Sequence, residues 1–356
     1  MLYDNGTFQL SDEHRIGSDY GSGNSLNTES APASRQIVIF TSESIVAQKQ
    51  LEGIFPYLAE NNIKPVVILT PNSKSPRAAI PSLQHYGFYE EGIFKEVIFP
   101  ELDARSRRSG LAPTFNELVR ANDCEVHKIK SLKDDCVMKA VQAPSTIGAL
   151  SIYHDAIFKA DLITAVKDKG FFWNVHPAVL PDNRGLYLAF WNKVNGVDSH
   201  GCTLHEIDEG IDTGGVISTY EIPLDPSKSV VESYFQIPQG GATLVCDALD
   251  KYLRKGKVDA VPHAPGENTS YFTFPREVDI ASAWEQNVHM VATPQRMVEV
   301  YTGMYGNDPI LRNKIIDAIA EVEGIDATLL RTKTPKVDTR RSTLIDSIFG
   351  PQQALA

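Results

Sequence analysis

Residues 172–215 read FWNVHPAVLPDNRGLYLAFWNKVNGVDSHGCTLHEIDEGIDTGG and gather an amide, an imidazole and a carboxylate that could do chemistry together. Asn174 and His176 stand two apart at the end of a predicted strand over 172–175. Strand alternation puts both side chains on the same side of the chain, at the carboxyl end of a sheet. Pro177 and Pro181 stiffen the loop that follows, and Asn183-Arg184-Gly185 turns it into a helix carrying Phe190 and Trp191. A strand over 202–207 then leads into an acidic glycine loop, Asp208-Glu209-Gly210-Ile211-Asp212-Thr213-Gly214. An amide, an imidazole and a carboxylate therefore stand in neighbouring loops. Such a set can stabilise an oxyanion, shuttle a proton and tune the shuttle.

These side chains need a scaffold, and the N-terminal half supplies its pattern. Ile37-Val38-Ile39-Phe40 is a short apolar run bounded by Thr41-Ser42, as for a buried strand. A helical stretch over 44–60 follows, then the apolar run Val66-Val67-Ile68-Leu69. Strand, helix and strand make a βαβ unit and hence a parallel sheet. Further strands are predicted at 126–129 and 147–152, with a short one at Val97-Ile98-Phe99. Helices fit 114–121 and 133–141. The Pro- and Ser-rich stretch 71–92 reads as a loop. The fold class is α/β, doubly wound, which puts ligands at the carboxyl ends of strands. After the first strand the chain reads Thr41-Ser42-Glu43-Ser44. No GxGxxG turn is present to admit a pyrophosphate, which argues against a dinucleotide.

NxHPxxLPxxRG, here Asn174 to Gly185, followed by DEGIDTG, here Asp208 to Gly214, resembles the 10-formyltetrahydrofolate-dependent formyltransferases. That family includes enzymes acting on methionyl-tRNA, on glycinamide ribonucleotide and on amino sugars. The resemblance covers roughly 35–223 and implies a Rossmann-like formyltransferase domain with a mostly parallel sheet. It implies catalytic roles for Asn174, His176 and Asp212 and 10-formyltetrahydrofolate as co-substrate, without a metal. In that scheme Asn174 and protonated His176 stabilise the oxyanion formed when a neutral amine attacks the formyl carbon. His176 moves the proton, and Asp212 holds the imidazole and favours its charged form. The pterin would lie against Tyr153, His154, Ile157 and Phe158 of one loop, and against Asp208 and Gly210 of the other. Tyr153-His154-Asp155 departs from the more apolar or arginine-containing versions of the first loop.

The implied domains are a flexible polar tail over 1–34, a catalytic domain over 35–258 and a mainly helical C-terminal extension over 259–356. Toward the end of the catalytic domain a capping box starts a helix at Ser229 and a second helix spans 240–253; in the extension a helix spans 313–322. The aromatic segment 270–276 is either packing or a stacking wall for an acceptor. His200 and His205 read as packing or surface residues. The basic runs 105–108 and 331–341 read as solvated segments.

The acceptor is read as the primary amine of a small biosynthetic metabolite. LPDNRG resembles the sugar N-formyltransferases most, which points to a nucleotide-linked amino sugar. An amino-acid-derived amine such as hydroxyornithine is the second choice, and a folate-binding protein without catalysis the third. The chain of 356 residues carries 34 Lys and Arg against 45 Asp and Glu, a net charge of −11. That surplus argues against nucleic acid as a partner, because phosphate contacts need cations. No apolar run reaches the roughly 18 residues that cross a bilayer, so no membrane is expected. Four scattered cysteines, none in a CxxC, read as free thiols in a reducing cytoplasm. Homodimerisation is left open.

Overall fold

The computed structural model describes residues 35–70, 79–104, 112–154, 156–262, 270–306 and 308–331. The expected polar tail over 1–34, the basic run 105–108 and the basic run beyond Arg331 lie outside them.

Nine strands are described: β1 (Arg35–Thr41), β2 (Ile63–Leu69), β3 (Glu125–Lys128), β4 (Thr146–Ile152), β5 (Phe171–His176), β6 (Asn183–Gly185), β7 (Ser199–Glu206), β8 (Val216–Pro223) and β9 (Ser270–Phe272). Seven of them form one sheet in the order β3-β2-β1-β4-β5-β7-β8. The first five pair in parallel, while β5–β7 and β7–β8 pair antiparallel. The α/β class with a mostly parallel sheet is thus present. β8 had no sequence expectation: along VISTYEIP burial only alternates between intermediate and exposed, so no apolar run marks it.

Burial of both faces explains the continuous apolar runs. In β1, Ile37 and Ile39 face one core layer, and Val38 and Phe40 face the other. Helices Ile45–Glu60 and Pro238–Lys255 cover the first face, Asp135–Gln142 and Ala160–Lys167 the second. Ser44 caps the first helix by accepting the Ala47 N–H, and Thr114 and Ser229 close capping boxes with Glu117 and Glu232.

Two expectations fail between β2 and β3. The described part of the stretch read as a loop forms the helix Pro81–Gly87 and a π-helical turn Phe88–Gly92. The predicted strand at 97–99 is instead helical, in a second π-helical turn Phe94–Ile98 and the helix Phe99–Asp103. Leu83, Tyr86, Tyr89-Glu90, Ile93-Phe94 and Ile98 return to one side every three or four residues and are all buried. That helical period extends on both sides of the short run Val97-Ile98-Phe99, and it decides the conformation.

The C-terminal helices Glu277–Glu285, Pro294–Tyr305 and Pro309–Glu323 pack on this segment. The Tyr301 hydroxyl donates to the Tyr89 carbonyl, and Glu323 accepts from the Tyr89 hydroxyl. Met297, Tyr301, Ile315 and Ile319 belong to the same core layer as Ile37 and Leu51.

Candidate active site

The alternation of β5 builds the site. Phe171, Trp173 and Val175 enter one core layer, and Phe172 enters the other. Asn174 and His176 share the face of Phe172, and both line a cavity of about 410 Å³. Asp212 lines the same cavity, as do all six residues expected against a pterin: Tyr153, His154, Ile157, Phe158, Asp208 and Gly210.

The acidic loop is held in shape by its own side chains. Asp208 Oδ1 accepts from the Gly210 N–H at 3.0 Å and from the Thr213 hydroxyl at 2.6 Å. Asp212 has φ 54°, the left-handed region, which turns its carboxylate back toward β5. Gly214 is required by contact: a Cβ there would lie 1.9 Å from the Glu206 carbonyl oxygen. Arg184 ties the two motifs together. Its Nε and Nη2 both donate to the Ile211 carbonyl, at 3.2 and 2.5 Å. Asn183-Arg184-Gly185 is more than a turn, since it forms β6 and pairs in parallel with β9.

The His176 side chain is almost fully enclosed. Its Nε2–H donates to the Asn183 carbonyl at 2.9 Å, since a carbonyl only accepts. Nδ1 then faces Asp212 Oδ1 at 3.5 Å. His205 stands on the other side of that oxygen, its Nε2 at 3.8 Å. His205 Nδ1–H donates to the Glu206 carbonyl at 2.8 Å. In the neutral ring Nε2 is therefore an acceptor, and the Asn174 amide donates to it at 3.0 Å. This fixes which end of the amide carries nitrogen. It leaves the second N–H of Asn174 for the cavity.

His205 is thus a site residue that the sequence reading placed with packing. Its signal is the antiparallel register, in which His205 pairs directly with Asn174. His200, on the same strand, is buried and does not line the cavity, so it matches the packing reading.

In the first loop, His154 stacks on Phe158 with ring centroids 4.6 Å apart and planes 7° from parallel. Phe158 in turn meets Phe40 and Phe172 edge-on. Burial pushes the His154 imidazole down to about 4, so it is neutral near pH 7 and presents an aromatic face. Ile157, 60% exposed, stands at the mouth. The Tyr153 hydroxyl donates to Glu90 Oε1 at 2.7 Å. From the 270–276 segment, Tyr271 and Phe274 line the cavity, while Phe272 stacks on Trp191 at 5.5 Å. The segment is therefore both wall and packing.

Among the described residues no helix is long and apolar enough to cross a membrane.

Residues 137–249 match the family model described as "Formyl transferase". A methionyl-tRNA formyltransferase from Synechococcus sp. (strain JA-2-3B'a(2-13)) is 32% identical over 218 residues, covering 60% of this chain and 66% of that protein. Another, from Synechococcus sp. (strain JA-3-3Ab), is 30% identical over 149 residues, covering 41% of this chain and 44% of that protein. The chain therefore matches only part of the length of these relatives. Among solved structures, a 4-N formyltransferase from Francisella tularensis aligns with a TM-score of 0.45 at 16% identity, covering 70% of this chain and 79% of that one. The segment that carries Asn174, His176 and Asp212 thus belongs to the formyl transferase family.

Proposed function

We propose that the protein transfers the formyl group of 10-formyltetrahydrofolate to the primary amine of a small metabolite. The observation that carries this reading is the meeting of Asn174, His176 and Asp212 on one cavity, with the Asn174 amide already oriented by His205.

The neutral amine attacks the formyl carbon, and the C=O electrons move to oxygen. The free N–H of Asn174 faces that oxyanion. The attacking nitrogen becomes cationic and must lose a proton, and the departing folate nitrogen must gain one. Asp212 stands at the cavity with His176 Nδ1 behind it, so the pair takes and returns the proton. The carbon–nitrogen bond to the folate then breaks, leaving an N-formyl amide and tetrahydrofolate. His176 Nε2 is committed to the Asn183 carbonyl. Its role is accordingly in the proton relay rather than as a direct donor to the oxyanion.

The residues fit a folate. The neutral His154–Phe158 stack offers a flat wall, with Ile207 and Ile211 as apolar neighbours on the second loop. Calorimetric titration with folinic acid, a stable formyl-folate, tests the reading. Saturable binding at micromolar to sub-millimolar ligand is expected, and its absence would reject the assignment.

Nucleic acid is not part of the proposal. The net charge of −11 opposes the cation surplus that tRNA contacts need.

A further inference from the structure

The three residues of β6 each hold a different part of the site together, and all three pair with β9. The Asn183 carbonyl accepts the Nε2–H of His176 at 2.9 Å. Arg184 donates to the Ile211 carbonyl from Nε and Nη2, at 3.2 and 2.5 Å. Gly185 lets β9 come close: its φ is 103°, and a Cβ there would lie 2.0 Å from the Phe272 carbonyl oxygen. In the register, Asn183 stands opposite Ser270, Arg184 opposite Tyr271 and Gly185 opposite Phe272.

β9 comes from the C-terminal extension, past the residues 137–249 that match the family model. Two strands of three residues are too short to hold each other by their ladder alone. Neighbouring groups supply the rest. The Phe272 ring stacks on Trp191 with centroids 5.5 Å apart and planes 18° from parallel. The Trp191 Nε1–H donates to the Thr273 carbonyl at 3.0 Å, and the Leu186 N–H donates to the Phe272 carbonyl at 3.0 Å. Trp191 belongs to the helix Leu188–Val194, so β9 is held both by β6 and by the helix that follows it.

The place of β6 decides what His176 can do. A carbonyl at Nε2 keeps the proton of the neutral ring there. Nδ1, 3.5 Å from Asp212 Oδ1, is then open to take a proton that arrives through Asp212. Without that carbonyl the proton moves to Nδ1, where Asp212 accepts it, and the ring can take no further proton on that side.

We propose that β9 is a positioning strand for the relay: by fixing β6 it holds the His176 proton on Nε2, and Phe272 and Trp191 are the side chains that lock it in place. What the relay does with its proton rests on the formyl-transfer reading. Where the resting proton sits does not.

The test is nuclear magnetic resonance on the full chain, isotopically labelled at the histidine nitrogens, with His176 assigned by comparison with His176→Gln. In wild type the Nε2–H of His176 should exchange slowly with water. The Nδ1–H of His205, bonded to the Glu206 carbonyl on its own strand, is the control. Phe272 belongs to neither core layer, so Phe272→Ala should fold. In that variant the His176 Nε2–H should exchange about tenfold faster or more, with the His205 signal unchanged. Phe272→Tyr, which keeps the stacking ring, should restore the wild-type rate. Trp191→Phe keeps a ring against Phe272 and removes only the bond to the Thr273 carbonyl. Its exchange, about threefold faster than wild type, carries the test should Phe272→Ala fail to fold. A His176 signal indifferent to both substitutions would overturn the proposal. Equal loosening of His176 and His205 would also overturn it, as the mark of a merely structural role. A wild-type chain that transfers no formyl group while its Nε2 proton responds as stated would instead overturn the formyl-transfer reading alone.

Discussion

The Asn174 side chain donates to Nε2 of His205 at 3.0 Å, across the paired strands β5 and β7. An amide rotates freely unless something holds it, and a catalytic donor that must reorient during reaction loses part of its effect. His205→Ala should therefore lower kcat by about ten- to a hundredfold while leaving folinic acid affinity unchanged. His205→Gln, whose carbonyl oxygen can accept the same hydrogen bond, should recover part of the loss. A wild-type kcat in His205→Ala would reduce His205 to packing.

Asp212 sits between two imidazoles and is the more exposed member of the group. Asp212→Asn keeps the shape, and asparagine tolerates the left-handed backbone at φ 54°. The fold should survive, with a melting temperature within a few degrees of wild type. Turnover should drop by about a hundredfold or more, because an amide cannot take the proton. Steady-state kinetics beside a thermal melt checks both halves.

Arg184 joins the LPDNRG segment to the DEGID loop through the Ile211 carbonyl. Lysine has no planar fork with which to make both bonds. Arg184→Lys and Arg184→Ala should both loosen the acidic loop. The expected signature is faster amide hydrogen exchange at 208–214 together with a raised KM for the folate. Unchanged exchange there would show that the Asp208 bonds to Gly210 and Thr213 suffice to hold the loop.

Acid stability follows from His154 and His200, both pushed down to about 4 by burial. Their folded values lie below the unfolded reference of about 6.5, so the unfolded chain binds more protons in that interval. The stability they contribute is complete above about pH 6.5 and is lost as pH falls toward 4. Each shift corresponds to about 3 kcal/mol at most. His154→Phe, which keeps the ring stacked on Phe158, should lose less stability than wild type between pH 7 and pH 4.5. Denaturant titrations at the two pH values measure the difference, and equal losses would contradict the assignment.

Much of this was legible in the sequence, and the reasons are local. The βαβ pattern at 36–69 could be read because strands buried on both faces leave uninterrupted apolar runs. Asn174 and His176 could be read because alternation is a property of any strand, and the Ser229 cap because capping depends on near neighbours. What was not legible depends on distant partners. His205 becomes a site residue only through its antiparallel register with Asn174. Glu90 lines the cavity from a segment whose Tyr89 bonds to Tyr301 of a distant C-terminal helix, a contact no local pattern announces. The strand β8 carries half-exposed residues and is stabilised by pairing with β7, so no run of its own announces it.

The most direct measurement follows the formyl group itself. The protein is mixed with 10-formyltetrahydrofolate bearing an isotopic label on the formyl carbon, and with a panel of small primary amines. The label is then located in single turnover. The account predicts that it appears in an N-formyl amide as tetrahydrofolate is released, and that His176→Ala slows this by about a hundredfold. Label that stays on the folate, or leaves as formate at the same rate in wild type and variant, would contradict it.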